Sequence, residues 1–191
     1  LQHDNAYYLL EATLKLMGAM LVGAYIKQGA PSAKLNKDLE SLTMPSTGHW
    51  VGFARETART LSKMGRSSGA SRDSSGADSA ASISSAAGSG TASSAGRDLA
   101  GLADFWEQLN KKRDDLPACR EAIVFFRKAA ELEGGAGNKI SPLQFWDAFP
   151  GYRNAVLGHG ASRSESFYEE GFGILIAAAE EIFTVCNPFA D

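Results

Sequence analysis

Residues 4–28 read DNAYYLLEATLKLMGAMLVGAYIKQ, and this stretch decides the fold class. Leu10, Leu14, Met17, Leu21 and Ala24 recur at three-and-four spacing, the period that gathers apolar side chains on one face of an α-helix. Leu9, Leu16 and Met20 broaden that surface, which predicts a helix covered on more than one side. Asp4 and Asn5 can cap the start, and Gly29-Ala30-Pro31 ends the helix. The most apolar part, Leu14 to Ile26, contains Lys15 and falls short of the ~20 apolar residues that a spanning helix needs, so a core helix and no membrane association are expected.

Further along the chain the same period returns. Pro45-Ser46-Thr47 is expected to start a second helix carrying Trp50, Val51, Phe53, Ala54, Thr57, Ala58 and Leu61, which stops by Gly65. Residues 66–97 are mostly Ser, Gly and Ala, too poor in large apolar side chains to offset the entropy of ordering, so a disordered, flexible loop is expected there. Leu99, Leu102, Phe105, Trp106 and Leu109 form one more apolar face, and Ile123, Val124, Phe126, Ala130 and Leu132 another after Pro117. Gly134 to Gly137 breaks the chain; it lacks the lysine and the preceding strand of a phosphate-binding loop. Ser141-Pro142-Leu143-Gln144 is a capping box with proline at the first helical position. Pro150 should kink or end that helix, and Ser162-Arg163-Ser164-Glu165 is a second capping box opening a long last helix. With no alternating strand pattern, the expectation is an all-α, antiparallel helical bundle of about five or more helices with one long flexible loop. Residues 1–191 read as a single domain, and the start at Leu1 suggests a piece of a longer multidomain protein.

A composition of 44% hydrophobic and 21% charged residues is that of a globular protein. The net charge of −3 argues against a broad basic face for nucleic acid and leaves room only for a small local site. Cys119 and Cys186 lie far apart with no metal-ligand spacing, so buried free thiols, a reducing cytoplasm and no metal or cofactor are expected. His3 falls in an expected frayed end, His49 reads as a capping or packing residue, and Glu180-Glu181 and Asp114-Asp115 read as solvated.

Arg153-Asn154-Ala155-Val156-Leu157-Gly158-His159 carries the chemical hypothesis. Histidine suits proton transfer near neutral pH, and a guanidinium offers planar, permanently charged donors to a phosphate. His159 would move the proton, Arg153 would meet the charge, and Asn154 would orient the phosphate or the imidazole. Positions six apart point about 120° away from one another on an unbroken helix, so Gly158 and Gly160 are expected to re-aim the imidazole. The segment resembles the Arg-(Asn)-x4-His signature of the HEPN superfamily, placed before the last helix of a helical domain. That resemblance implies a metal-independent endoribonuclease acting on single-stranded RNA as a homodimer, since HEPN enzymes face two motifs across a cleft. The leading expectation is a non-catalytic module for dimerisation, sensing or partner binding in a bacterial-type signalling or defence protein, with neighbouring domains or an inhibitor protein as partners, and the ribonuclease is the alternative. In a purely structural alternative, His159 packs at a helix end and Arg153 pairs with Asp147, Glu165 or Glu169.

Overall fold

Helix α1 (Gln2–Lys27) buries the expected stripe, with Leu10, Leu14, Met17 and Leu21 in the core. The computed structural model describes residues 2–70, 101, 104–158 and 163–186. Gly29 and Ala30, both at positive φ, turn the chain out of α1. The Tyr25 hydroxyl fixes the exit by donating to Asn36 Oδ1 at 2.7 Å and accepting from the Ser32 N–H at 2.9 Å. Two expectations fail here. Asp4 and Asn5 lie inside the helix, not at its cap. Leu9, Leu16 and Met20 are exposed, because they project away from the buried stripe, and α3 and α7 pack against that stripe. By length and composition α1 is also apolar enough to cross a membrane, while ten of its residues are buried in the core of this fold.

A short helix, α2 (Ala33–Leu39), and a 3-10 turn (Glu40–Thr43) fill the stretch between α1 and Pro45, where no helix is expected from the sequence. Leu35 is the one residue α2 buries, so no periodic stripe marks it. Helix α3 (Thr47–Ala70) starts where expected. Ser46 and His49 cap it reciprocally: the Ser46 hydroxyl accepts from the His49 N–H at 3.3 Å, and the Ser46 N–H donates to His49 Nδ1 at 3.0 Å. The helix runs through Gly65 to Ala70, so residues 66–70 of the expected loop are helical. Extending a formed helix costs far less than starting one, and Ser and Ala tolerate it. The remainder of that expected loop, 71–97, lies outside the described residues.

Residues 104–110 form α4, which buries Leu109. A single antiparallel bridge between Arg113 and Ile140 is the only sheet-like pairing among the described residues. Three helices complete the bundle: α5 (Pro117–Ala129), α6 (Pro142–Arg153) and α7 (Glu165–Val185). Helix α5 packs on α6 and α7, α1 packs on α3 and α7, and the fold is an all-α helical bundle. Its centre is aromatic: Phe126 meets Tyr152 at 4.7 Å between ring centroids, and Tyr7 stacks on Phe149 at 5.2 Å.

The caps of these helices depart from the sequence reading in instructive ways. Ser141 opens α6 as expected, its N–H donating to Gln144 Oε1 at 2.9 Å, with Pro142 in the first turn. Pro150 does not end α6, which continues to Arg153. The N-cap of α7 is Ser164, whose hydroxyl accepts from the Phe167 N–H at 3.2 Å; Ser162 lies outside the described residues. Leu116 offers α5 no side-chain cap. The Glu181 carboxylate of α7 takes that place, accepting from the N–H groups of Ala118 at 3.1 Å and Cys119 at 2.7 Å. Glu181 is therefore a capping group and not a solvated one, held by the unpaired donors and positive dipole end of α5.

Candidate functional site at the end of α6

Burial of Tyr152 sets the geometry of the motif. Its ring sits against Phe126 in the core, so Arg153, about 100° further round the helix, is turned outward. Arg153 and Asn154 are both exposed. From Asn154 to Gly158 the backbone winds as one π turn, with Val156 buried as its anchor. Such turns hold a wider loop of backbone than an α-helix and are frequent at functional sites. The departure from α-helical winding thus begins at Asn154, four residues before Gly158, while Gly160 and the imidazole of His159 lie outside the described residues.

The wide turn folds Gly158 back onto the start of the motif. A Cβ at Gly158 would lie 3.6 Å from Arg153 Nη1 and 3.8 Å from Asn154 Oδ1. Arg153 Nη1 itself donates to Asn154 Oδ1 at 3.4 Å. The structural ion pair considered for Arg153 is not formed: Asp147 pairs instead with Arg55 of α3 at 3.1 Å, and among the described residues no carboxylate lies within ion-pair range of Arg153. His159 lies outside the described residues, so the corner is built here from Arg153, Asn154 and Gly158.

Beneath Arg153 lies the hydroxyl of Tyr7, 1% exposed. Thr47 and Arg153 both approach it, yet neither meets hydrogen-bond geometry, and the hydroxyl is left unpaired among the described residues. Burial above all, reinforced by the charge of Glu11, pushes its pKa up to about 12. Thr47 donates instead to Glu11 Oε1 at 3.0 Å, and Lys15 pairs with the same carboxylate at 3.3 Å.

His3 is the group that the sequence reading placed wrongly. It is buried against α6 and α7, with Nε2 bonded to the Tyr152 hydroxyl and Nδ1 at 3.2 Å from Asp4 Oδ1. An imidazole that donates from Nδ1 and accepts the Tyr152 proton at Nε2 satisfies both contacts. Gly171 makes room for it, since a Cβ there would stand 3.1 Å from His3 Cδ2. The signal was present: His3, Tyr7, Leu10 and Leu14 continue the buried stripe backward at the same spacing. His3 opens onto a cleft of about 720 Å³ that also takes in Asp4, Leu157, Glu165 and Glu169. Three carboxylates against the single guanidinium of Arg163 leave that cleft acidic and disfavour phosphate, whereas the Asn154 side borders a smaller cleft of about 350 Å³ where the same Arg163 faces one carboxylate, Glu131.

Cys119 and Cys186 are buried free thiols, as expected, and burial pushes the Cys186 thiol up to about 11. Among the described residues no three His, Cys, Asp or Glu side chains cluster in a way that could hold a metal ion. No protein-family model, curated protein or solved structure matches this chain.

Proposed function

We propose that this chain is a HEPN-like helical module for self-association, sensing or partner binding within a bacterial-type signalling or defence protein, and that its Arg153–Asn154 corner receives the phosphates of single-stranded RNA. The observation that supports this best is Arg153 itself. It is exposed, has no carboxylate partner among the described residues, and stands beside the Asn154 side chain on a turn that draws Gly158 against it. A phosphate oxygen accepts paired N–H donors from a guanidinium, and the Asn154 amide adds another donor. A corner this small, on a chain of net charge −3, suits a local contact and not a broad electrostatic face.

A second reading builds on the same corner: a metal-independent endoribonuclease acting as a homodimer through Arg153, Asn154 and His159. An un-neutralised guanidinium favours it, because negative charge grows on the phosphate oxygens as the RNA is cleaved. His159 would carry the proton at the 2′-hydroxyl or the leaving 5′-oxygen. The test is incubation of the chain with labelled single-stranded RNAs in EDTA. Cleavage leaving 2′,3′-cyclic phosphate ends, reduced ~10²–10⁴-fold in His159→Ala and Arg153→Ala, supports the enzyme. Binding that Arg153→Ala abolishes, without cleavage, supports the module alone. If none of the RNAs binds or is cut, the phosphate-binding corner and the enzyme both fail.

A further inference from the structure

Helix α1 has a second apolar face that its own fold leaves uncovered. Leu9, Ala12, Leu16, Ala19, Gly23 and Ile26 follow one another at alternating three- and four-residue intervals along the helix, and all six are exposed. Those five intervals average 3.4 residues, close to the 3.5-residue period of a seam that packs along a second helix. At about 100° per residue the stripe points to the opposite side of α1 from Leu10, Leu14 and Leu21. Tyr8 and Met20 flank it, and its one mid-helix charge, Lys15, is already paired with Glu11.

We propose that this face is where a second copy of the chain docks, α1 lying antiparallel against the partner's α1. The exposed area reaches the lower limit for a specific interface. Tyr8, Leu9, Leu16, Met20 and Ile26 are 58%, 48%, 52%, 46% and 60% exposed. Together they offer roughly 500 Å² on one copy and about 1,000 Å² across a symmetric pair, the size at which specific interfaces begin. The side-chain sizes also match in this direction. A two-fold axis at the level of Met17 and Gly18 sets Leu9 against the partner's Ile26, Ala12 against the partner's Gly23, and Leu16 against the partner's Ala19. Small residues thus meet small or large ones along the seam, and a Cβ at Gly23 would meet nothing within 4 Å in the single chain, leaving room for close approach. Antiparallel helices oppose their dipoles and offset the two Lys15 ammonium groups, which a parallel pair would set level with each other.

A lipid surface fits less well. Helices that lie on membranes carry rows of Lys and Arg along the polar rim, and here Lys15 and, at the last turn, Lys27 are the only cations of α1. The face also lies away from Tyr7, which stacks on α6, so pairing through it leaves the Arg153 corner open. It therefore stands or falls separately from RNA binding at that corner, and it is a different pairing from the motif-to-motif homodimer of the ribonuclease reading.

Sedimentation of the whole chain tests it. The expected result is twice the mass of one chain at tens of micromolar, an order of magnitude typical of a functional self-association. Leu16→Arg and Ala19→Arg, both on exposed positions, should each give the single-chain mass with unchanged helical circular dichroism. Mixed under mild oxidation, Leu9→Cys and Ile26→Cys proteins should link to each other and not to themselves. A wild-type chain that stays single at ~100 µM, a pair that survives both arginine variants, or Leu9→Cys linking to itself would overturn the proposal. So would a single-chain protein that sediments with phosphatidylcholine/phosphatidylglycerol vesicles through this face.

Discussion

Removing the Glu181 carboxylate should loosen α5 from its far end. Glu181→Ala deprives the N–H groups of Ala118 and Cys119 of acceptors at 3.1 and 2.7 Å, and Leu116 supplies no replacement. Losing a helix N-cap costs about 0.5–2 kcal/mol, and losing a negative charge at the positive dipole end adds about 0.3–1 kcal/mol. Glu181 is half-buried, so water recovers part of this, and a net loss of about 1.5–2 kcal/mol is expected. For a domain of this size each kcal/mol moves the melting temperature by about 2–4 °C, giving a fall of roughly 3–8 °C by circular dichroism. Glu181→Gln keeps one acceptor oxygen without the charge and should fall between. A Glu181→Ala protein that melts within about 1 °C of wild type would refute the idea that α7 caps α5.

Two further substitutions probe other parts of the fold. Gly18→Ala gains about 1 kcal/mol of helix propensity, but its Cβ would stand 2.7 Å from Trp50 Cε3, an overpacking that costs about 1–3 kcal/mol; a net loss near 1 kcal/mol in urea unfolding is expected, and stabilisation would contradict the α1–α3 packing. Burial raises the Asp147 carboxyl above its ordinary value of 3.8 against the pull of Arg55, so the folded chain holds this proton more tightly than the unfolded one. Its contribution to stability must then fall as pH rises from about 4 through the raised value, and Asp147→Asn should flatten that decline in urea midpoints measured across pH 3.5–6.

Legibility in the sequence followed how local each cause was. The buried stripe of α1, the Ser46 and Ser141 starts and the positive-φ exit at Gly29 all rest on residues a few positions apart, and each is found where the spacing puts it. What failed depended on distant partners. Nothing near Glu181 announces that it caps a helix 62 residues earlier, and nothing near His3 announces Tyr152, although the backward stripe through Tyr7 should have placed His3 in the core. Leu9, Leu16 and Met20 were legible as apolar but not as uncovered, since coverage is a property of neighbouring helices. Within the motif, the outward turn of Arg153 follows from the burial of Tyr152 beside it. The π turn does not, because it forms where α6 passes from the packed seam into the connection to α7, and no residue type marks it.

The most direct test of the Arg153–Asn154 corner is the salt dependence of single-stranded RNA binding in EDTA, measured by fluorescence anisotropy for wild type and Arg153→Ala. If Arg153 holds one phosphate, its removal should weaken binding at every salt concentration and reduce the slope of log K against log salt by about 0.7. Superimposable binding curves and slopes for the two proteins, with folding unchanged, would contradict the account.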